Sequence, residues 1–248
     1  RRSFAELRSF ALGIRRTLSP LLVRGSGTTT AHHVGILAEG GGLALYAAWL
    51  AVLWEGCTVV PLSAGAPVDR LSSILADATV TVVLLTDHQS STAAGAICQA
   101  MNMRCRNPAT AAAFAASDGD AYLYYTSGSS GEPKGVHSGH APMMNRLRWM
   151  WEQWPFAEDE VCCQRVDHVF IDFVAEVFGP LSRGVPILVV PDAVRRNPVS
   201  LGNFISENGV TRITLVPTLA RLIAEAATMA STATGTKVYN RGTANTPA

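Results

Sequence analysis

Residues 57–86 read CTVVPLSAGAPVDRLSSILADATVTVVLLT, and this stretch decides the fold class. Its first part, CTVVPL (57–62), predicts a strand that ends near a proline. Its last part, VTVVLLT (80–86), is a β-branched run typical of a strand buried in a parallel sheet. Between them, DRLSSILADA (69–78) places its apolar residues on one side of a helix. Strand, helix and strand in this order predict an α/β fold with crossover helices.

The same alternation extends in both directions from this unit. The spacing of apolar residues, with glycine and proline at the ends of segments, predicts the other elements. Further helices are predicted at 3–22, 43–54, 141–155, 170–184, 201–209 and 218–227, and further strands at 34–37, 121–126, 185–191 and 211–217. The Ala-rich segment 107–120 predicts a surface connection. We therefore expect layered sheets flanked by helices.

Composition and charge exclude several classes of protein. The chain has 248 residues, of which 48% are hydrophobic, and its formal net charge is +1. This balance gives no general reason to expect a nucleic acid or a membrane as partner. The longest apolar run, residues 43–54, is shorter than the about 20 residues of a membrane span, and RRSFAEL (1–7) does not resemble a signal peptide. We expect a cytoplasmic protein, and the start on Arg1 within a helical pattern suggests a fragment.

The cysteines indicate neither a disulfide framework nor a metal site. None of the five belongs to a CxxC pair, and their number is odd. They are Cys57, Cys98, Cys105, Cys162 and Cys163. We predict reduced thiols in the core and no metal ligand set.

The segment YYTSGSSGEPKGV (124–136) contains the candidate functional residues. A strand that runs into glycine and hydroxyl residues presents backbone N–H groups and hydroxyl groups at the edge of a sheet, where they can bind an anion. Lys134 adds a mobile positive charge, so the loop suits a polyphosphate. A Walker A loop requires a serine or threonine after the lysine, but Gly135 stands there, which argues against a P-loop kinase. The residues alone also allow a flexible Gly/Ser linker with a solvated lysine.

The same segment resembles the signature loop of the adenylate-forming superfamily, commonly YTSGSTGxPKGV. Ser130 replaces the usual threonine and keeps the hydroxyl. This superfamily includes the amino-acid adenylation domains of nonribosomal peptide synthetases. Three further stretches resemble motifs of the family and follow the family order. They are SFAEL (3–7), LAVLWEGCTVVPLSAGAPVDRLSSILADA (50–78) and RITLVPTLARLI (212–223). The resemblance covers roughly residues 3 to 227.

The resemblance implies an ATP-dependent ligase. A substrate carboxylate attacks the α-phosphate of ATP, and an acyl-adenylate and pyrophosphate form, with Mg²⁺ expected as the metal ion. The positions that match the phosphate-binding loop are Thr126, Ser127, Gly128, Ser129, Ser130, Gly131 and Lys134. Lys134 is the predicted catalytic residue because its charge suits the leaving pyrophosphate. The acyl group then passes to a phosphopantetheine thiol on a downstream carrier domain outside this chain.

Asp172 is the predicted substrate-binding residue. Amino-acid-activating members carry FDxS at the start of a pocket helix, and their aspartate pairs with the substrate ammonium. Here Ile171 occupies that position and the aspartate follows it, which rotates the carboxylate by about 100° and raises it by about 1.5 Å. β-Alanyl-amine synthases resemble this arrangement, so β-alanine or a related amino acid is the expected substrate. Asp172 could also be a helix-start carboxylate that the helix dipole stabilises.

The chain matches only the N-terminal part of an adenylation domain. The later family motifs, which hold Mg²⁺ and the ribose and supply a second lysine, have no counterpart in it. We predict a partial domain at 1–227 and, because its residues are small and polar, a disordered tail at 228–248. We also expect weak or no catalysis by this chain alone. The alternative is a truncated, noncatalytic remnant that keeps the fold and a nucleotide-binding loop.

Overall fold

The protein is described by a computed structural model that covers residues 2–22, 32–80, 82–86, 104–106, 119–127 and 132–234. Its helices are α1 Phe4–Leu18, α2 Leu43–Trp54, α3 Val68–Asp77, α4 His140–Gln153, α5 Asp172–Leu181, α6 Asp192–Arg195, α7 Pro198–Glu207 and α8 Pro217–Thr234, with a 3₁₀ turn at Ser19–Leu21. Its strands are β1 His33–Ala38, β2 Thr58–Ser63, β3 Val82–Leu85, β4 Arg104–Arg106, β5 Asp120–Ser127, β6 Pro133–Gly139, β7 Cys162–Gln164 and β8 Ile187–Val189.

The larger sheet has six strands in the order β4-β3-β1-β2-β5-β6. Every neighbouring pair is parallel except β5 and β6, which form an antiparallel hairpin. The central strand β1 is buried over most of its length, as its continuous apolar sequence requires. The predicted α/β class with crossover helices is confirmed.

Helices cover both faces of the larger sheet. On one face, α1, α2, α4 and α5 pack around Trp49, which is fully buried. Its ring lies 5.3 Å from that of Phe173 and 5.7 Å from that of Phe178, between centroids. On the other face, α3 buries Leu71, Ile74 and Leu75. The two separate apolar clusters explain why the strands between them carry so few polar side chains.

A smaller sheet pairs β7 with β8 in parallel, with α5 as the crossover helix. The prediction of a strand at 211–217 is wrong in extent, because only Arg212 forms a bridge, to Cys162. Backbone bonds and side chains together hold this segment. The N–H groups of Thr211 and Arg212 donate to the Val161 carbonyl oxygen at 2.9 and 3.2 Å. The Thr211 hydroxyl accepts from the Val161 N–H at 2.9 Å, and Arg212 pairs with the buried carboxylate of Glu160.

One strand and the ends of two helices differ from the sequence prediction. The antiparallel strand β6 was not predicted, because PKGVHSG has two glycines and no apolar alternation. The helix predicted at 170–184 spans only Asp172–Leu181. Helix α8 continues to Thr234, seven residues beyond Ala227, where the sequence places the end of the domain; residues 235–248 lie outside the described residues.

Cys57, Cys162 and Cys163 are buried thiols that belong to no disulfide, as predicted for core cysteines. Burial is the main cause that raises the pKa of Cys162 to about 11 and that of Cys163 to about 12. Both thiols are therefore protonated near neutral pH. Within the part of the chain that the structure describes, no helix combines the length and the apolar composition that crossing a membrane requires.

Candidate functional site

The β5–β6 hairpin presents the candidate phosphate loop at its tip. Thr126 stands directly opposite Lys134, and Ser127 opposite Pro133. β5 lies beside β2 in the parallel part of the sheet, so its end, Ser127, is at the carboxyl edge of the sheet. Ligands of open α/β sheets bind at this edge.

The backbone pairing holds Lys134 at a defined place beside the loop. The Thr126 hydroxyl lies 3.5 Å from the carbonyl oxygen of Lys134, to which it donates. Both residues are exposed, and among the described residues the Lys134 ammonium has no carboxylate partner. A solvent-facing cation without an ion pair is available to an anionic ligand.

Gly135 allows the two strands of the hairpin to pack closely. A Cβ at this position would lie 3.0 Å from Leu123 Cδ1 and 3.3 Å from the Tyr125 hydroxyl. Any larger residue would push the ends of those cross-strand side chains aside by a few tenths of an ångström. The glycine that excludes a Walker A loop therefore has a packing role of its own.

Of the predicted phosphate-loop residues, the structure brings Thr126, Ser127 and Lys134 together. Gly128, Ser129, Ser130 and Gly131 lie outside the described residues. No group of three acidic, histidine or cysteine side chains within the described ranges could hold a metal ion.

Asp172 is the first residue of α5 and is exposed. Phe170 and Ile171, which precede it, are also exposed, although both are large and apolar. Among the described residues Asp172 has no ion-pair partner, so its carboxylate is available. These residues line a surface at the start of α5, where the helix dipole also favours a negative charge.

His168 ties the segment before α5 to the carboxyl edge of the larger sheet. Its Nε2 donates to the carbonyl oxygen of Leu62, near the end of β2, at 3.0 Å. The His168 side chain is fully buried. Burial lowers the pKa of His168, so the ring is neutral near pH 7. Asp172 is thereby held at the same edge of the fold as the phosphate loop.

Glu176 is a buried carboxylate one helical turn after Asp172. Its Oε2 accepts from the N–H of Arg165 at 2.9 Å and from that of Val166 at 2.8 Å. Burial is the main cause that raises its pKa to about 7, and the charge of Asp172 adds to the rise. Glu176 therefore fixes the chain between β7 and α5, on which the position of Asp172 depends.

A close contact joins this region to the turn before α2. The Tyr46 hydroxyl donates to Gln164 Oε1 at 2.8 Å, and a Cβ on Gly41 would lie 1.8 Å from the same oxygen. Only glycine fits at position 41.

An ion pair also fixes the segment before α5, because an Arg195 guanidinium nitrogen lies 3.6 Å from the carboxylate of Asp167.

Sequence reasoning missed Tyr124 and gave Glu176 no role. Tyr124 reads as an ordinary strand residue, and only the fold shows that its hydroxyl is buried with no hydrogen-bond partner in the described part of the chain. Glu176 had one signal, its agreement with the family pattern around the pocket helix.

Comparison with protein families is consistent with this arrangement. The family model described as AMP-binding enzyme matches residues 15–242. This chain belongs to the family of AMP-binding enzymes. The resemblance to adenylate-forming enzymes is thus confirmed, and the match extends past the boundary expected at residue 227.

Relatives of known name include nonribosomal peptide synthetases. The β-alanyl-bioamine nonribosomal peptide synthetase ebony of Drosophila melanogaster is 42% identical over 106 residues, which are 42% of this chain and 12% of the relative. Enterobactin synthase component F of Escherichia coli K12 is 31% identical over 175 residues, or 68% of this chain and 13% of the relative. The chain thus spans about an eighth of the length of these relatives.

Solved structures show the same fold. The nonribosomal peptide synthetase FmoA3, in its α-methyl-L-serine-AMP-bound form, superimposes with a TM-score of 0.76 at 26% identity, over 90% of this chain and 24% of that one. The Vibrio cholerae adenylation domain AlmE superimposes with a TM-score of 0.75 at 20% identity, over 90% of this chain and 46% of that one.

Proposed function

We propose that this chain is part of an adenylation domain that activates the carboxylate of an amino acid with ATP, forming an acyl-adenylate and releasing pyrophosphate. The observation that carries the proposal is the hairpin that places Lys134 opposite Thr126 at the carboxyl edge of the sheet. Membership of the AMP-binding enzymes and the AMPPNP-bound form of FmoA3 support it.

In this proposal, Lys134 binds the β- and γ-phosphates and neutralises charge that develops on the leaving pyrophosphate. The hydroxyl of Ser127 and the loop residues 128–131 donate hydrogen bonds to the same oxygens. The Thr126 hydroxyl does so too when it rotates away from its long, 3.5 Å contact with the Lys134 carbonyl oxygen. The chemistry needs little more than positioning and charge stabilisation from the protein. The hairpin suits this role because two paired strands hold the ends of the loop in register.

ATP fits the described residues, since an unpaired lysine and two exposed hydroxyl groups stand together where the strand ends. Mg²⁺ has weaker support, because the described residues contain no cluster of ligating side chains. A magnesium ion that is bound mostly to phosphate oxygens and water needs only one or two protein ligands. No step of the proposed reaction depends on a metal ligand from this chain.

Asp172 is the proposed partner of the substrate ammonium group. Its exposed carboxylate has no ion-pair partner among the described residues, and it lies at the same edge as the phosphate loop. The substrate we propose is β-alanine. The one-residue shift of the aspartate and the similarity to ebony, whose name specifies a β-alanyl synthetase, support this choice. Transfer of the acyl group to a phosphopantetheine thiol on a carrier domain would follow.

The test is amino-acid-dependent exchange of pyrophosphate into ATP by the full protein that contains this chain. Exchange should occur with β-alanine and fall at least about 100-fold in Lys134→Ala, the effect expected when a preorganised charge is removed. Lys134→Arg keeps the charge and serves as the matched variant, with a smaller loss. Strong exchange with α-amino acids and none with β-alanine would overturn the substrate.

The same assay tests the role of Asp172. Asp172→Asn keeps the shape but removes the charge, so the KM for the amino acid should rise while that for ATP stays the same. Asp159→Asn, at an exposed site in the loop after α4, is the control. Binding of ATP without exchange for any amino acid would instead support the noncatalytic remnant.

A further inference from the structure

Tyr124 carries a polar group that the fold leaves without a partner. The residue lies on β5 between Tyr122 and Thr126, on the face of the strand that packs under α2 and α5. Its ring contacts Trp49, at 6.4 Å between centroids, and Tyr122, at 5.1 Å. The side chain is 7% exposed, yet within the described residues the hydroxyl has no hydrogen-bond partner. Such groups are rare in folded proteins because each one costs free energy.

The side chain of Tyr124 packs beneath the start of α5. The ring of Trp49 contacts that of Tyr124 at 6.4 Å and that of Phe173, the residue after Asp172, at 5.3 Å between centroids. In agreement with this packing, burial raises the pKa of Tyr124 well above its usual value, and the charges of Tyr122, Asp172 and Asp167 add to this rise. Asp167 is already paired with Arg195, whereas Asp172 has no described ion-pair partner.

A neutral phenol in this place offers one acceptor and one donor. An ammonium group carries three diverging N–H donors, and at most two of them can point at the oxygens of a single carboxylate. A site made of a carboxylate and a neutral oxygen therefore satisfies a primary ammonium group better than a carboxylate alone. A simple carboxylic acid without an amino group would leave both protein groups unpaired.

We propose that Tyr124 is a further substrate-contacting residue, whose hydroxyl oxygen accepts a hydrogen bond from the ammonium group that Asp172 binds. The assignment rests on the proposed function, amino-acid activation, and adds a residue that selects for an amino acid over the acid lacking the amino group. The hydroxyl that has no protein partner then has its partner in the substrate.

The test compares Tyr124→Phe with the unaltered protein in pyrophosphate exchange, using the full protein that contains this chain. β-Alanine and propionate, which differ only in the amino group, are the paired substrates. Removal of the hydroxyl should raise the KM for β-alanine roughly 10- to 100-fold, the range expected for one hydrogen bond to a charged group. The KM for ATP and the activity with propionate should stay within about twofold.

Tyr122→Phe is the matched control, because Tyr122 is buried on the same face of the same strand. This variant should leave the KM for β-alanine, the KM for ATP and the activity with propionate unchanged. Thermal unfolding adds a second readout: since the Tyr124 hydroxyl has no protein partner, Tyr124→Phe should melt no lower than the unaltered protein. A fall of several degrees would show a structural role for the hydroxyl and overturn the assignment.

The outcomes separate this inference from the function on which it rests. If the unaltered protein exchanges with β-alanine and Tyr124→Phe has the same KM, Tyr124 is not a contact and the proposed function stands. An equal loss for β-alanine and propionate would also overturn the contact, because it would indicate packing. If the unaltered protein exchanges with no amino acid, the proposed function fails and the contact fails with it.

Discussion

Replacement of Glu176 by glutamine should remove a pH dependence from the stability of the protein. Burial raises the pKa of Glu176 from 4.5 to about 7, so between these values the folded protein holds a proton that the unfolded chain has lost. The contribution of Glu176 to the free energy of unfolding therefore falls as the pH rises through this interval. The shift corresponds to about 3 kcal/mol in total, most of it lost between pH 5 and pH 8. Glutamine cannot ionise, so Glu176→Gln should lack this pH-dependent loss of stability.

Urea unfolding of the unaltered chain and of Glu176→Gln, measured at steps from pH 5 to pH 8, tests the reasoning. The two should have similar stability near pH 5, where Glu176 is protonated and can be replaced by an amide of the same shape. Near pH 8 the variant should be more stable by about 2 to 3 kcal/mol relative to the difference at pH 5. Glu158→Gln, at an exposed position, is the control. Parallel curves for the unaltered chain and Glu176→Gln would refute a buried, protonated Glu176.

Three further outcomes follow from the packing and the burial of single groups. Trp49→Ala should destabilise the chain by about 3 to 5 kcal/mol in urea unfolding, because Trp49 fills the centre of the larger core; a loss below about 1 kcal/mol would contradict that packing. Cys162 and Cys163 should react with a thiol reagent only at the rate of unfolding, because burial covers both thiols and their raised pKa values keep them protonated. Rapid labelling of the native chain would contradict this prediction. The contribution of His168 to stability should fall as the pH drops below about 6.5, because its lowered pKa keeps the ring neutral in the fold while the unfolded chain takes up a proton. His168→Gln should therefore gain stability relative to the unaltered chain as the pH drops, and a difference that does not change with pH would contradict this.

The regular elements were largely predictable because their apolar patterns are strong. Helix α2, Leu43–Trp54, begins and ends at the predicted residues, since a run of apolar residues lies between Gly42 and Glu55. Strands β2 and β3 were predicted to within two residues at each end. Strand β6 was missed, because it is an exposed edge strand whose partner, rather than its own sequence, specifies its conformation.

The residues of the candidate site were likewise predictable only in part. The loop around Lys134 and the position of Asp172 came from motifs, which need only local order. The unpartnered hydroxyl of Tyr124 and the buried carboxylate of Glu176 depend on which segments lie above them. The sequence pattern of a strand or a helix does not indicate which segments pack against its side chains.

The sequence by itself therefore determined the α/β class, the phosphate-type loop and the resemblance to AMP-binding enzymes, because periodicity and short motifs are properties of neighbouring residues. Only the tertiary structure decided that His168 is buried, that Thr126 faces Lys134, and that Tyr124 packs with Trp49 beneath the start of α5. Burial and charge act through space, between residues that are distant in the chain. The sequence pattern of a single segment therefore does not indicate these neighbours.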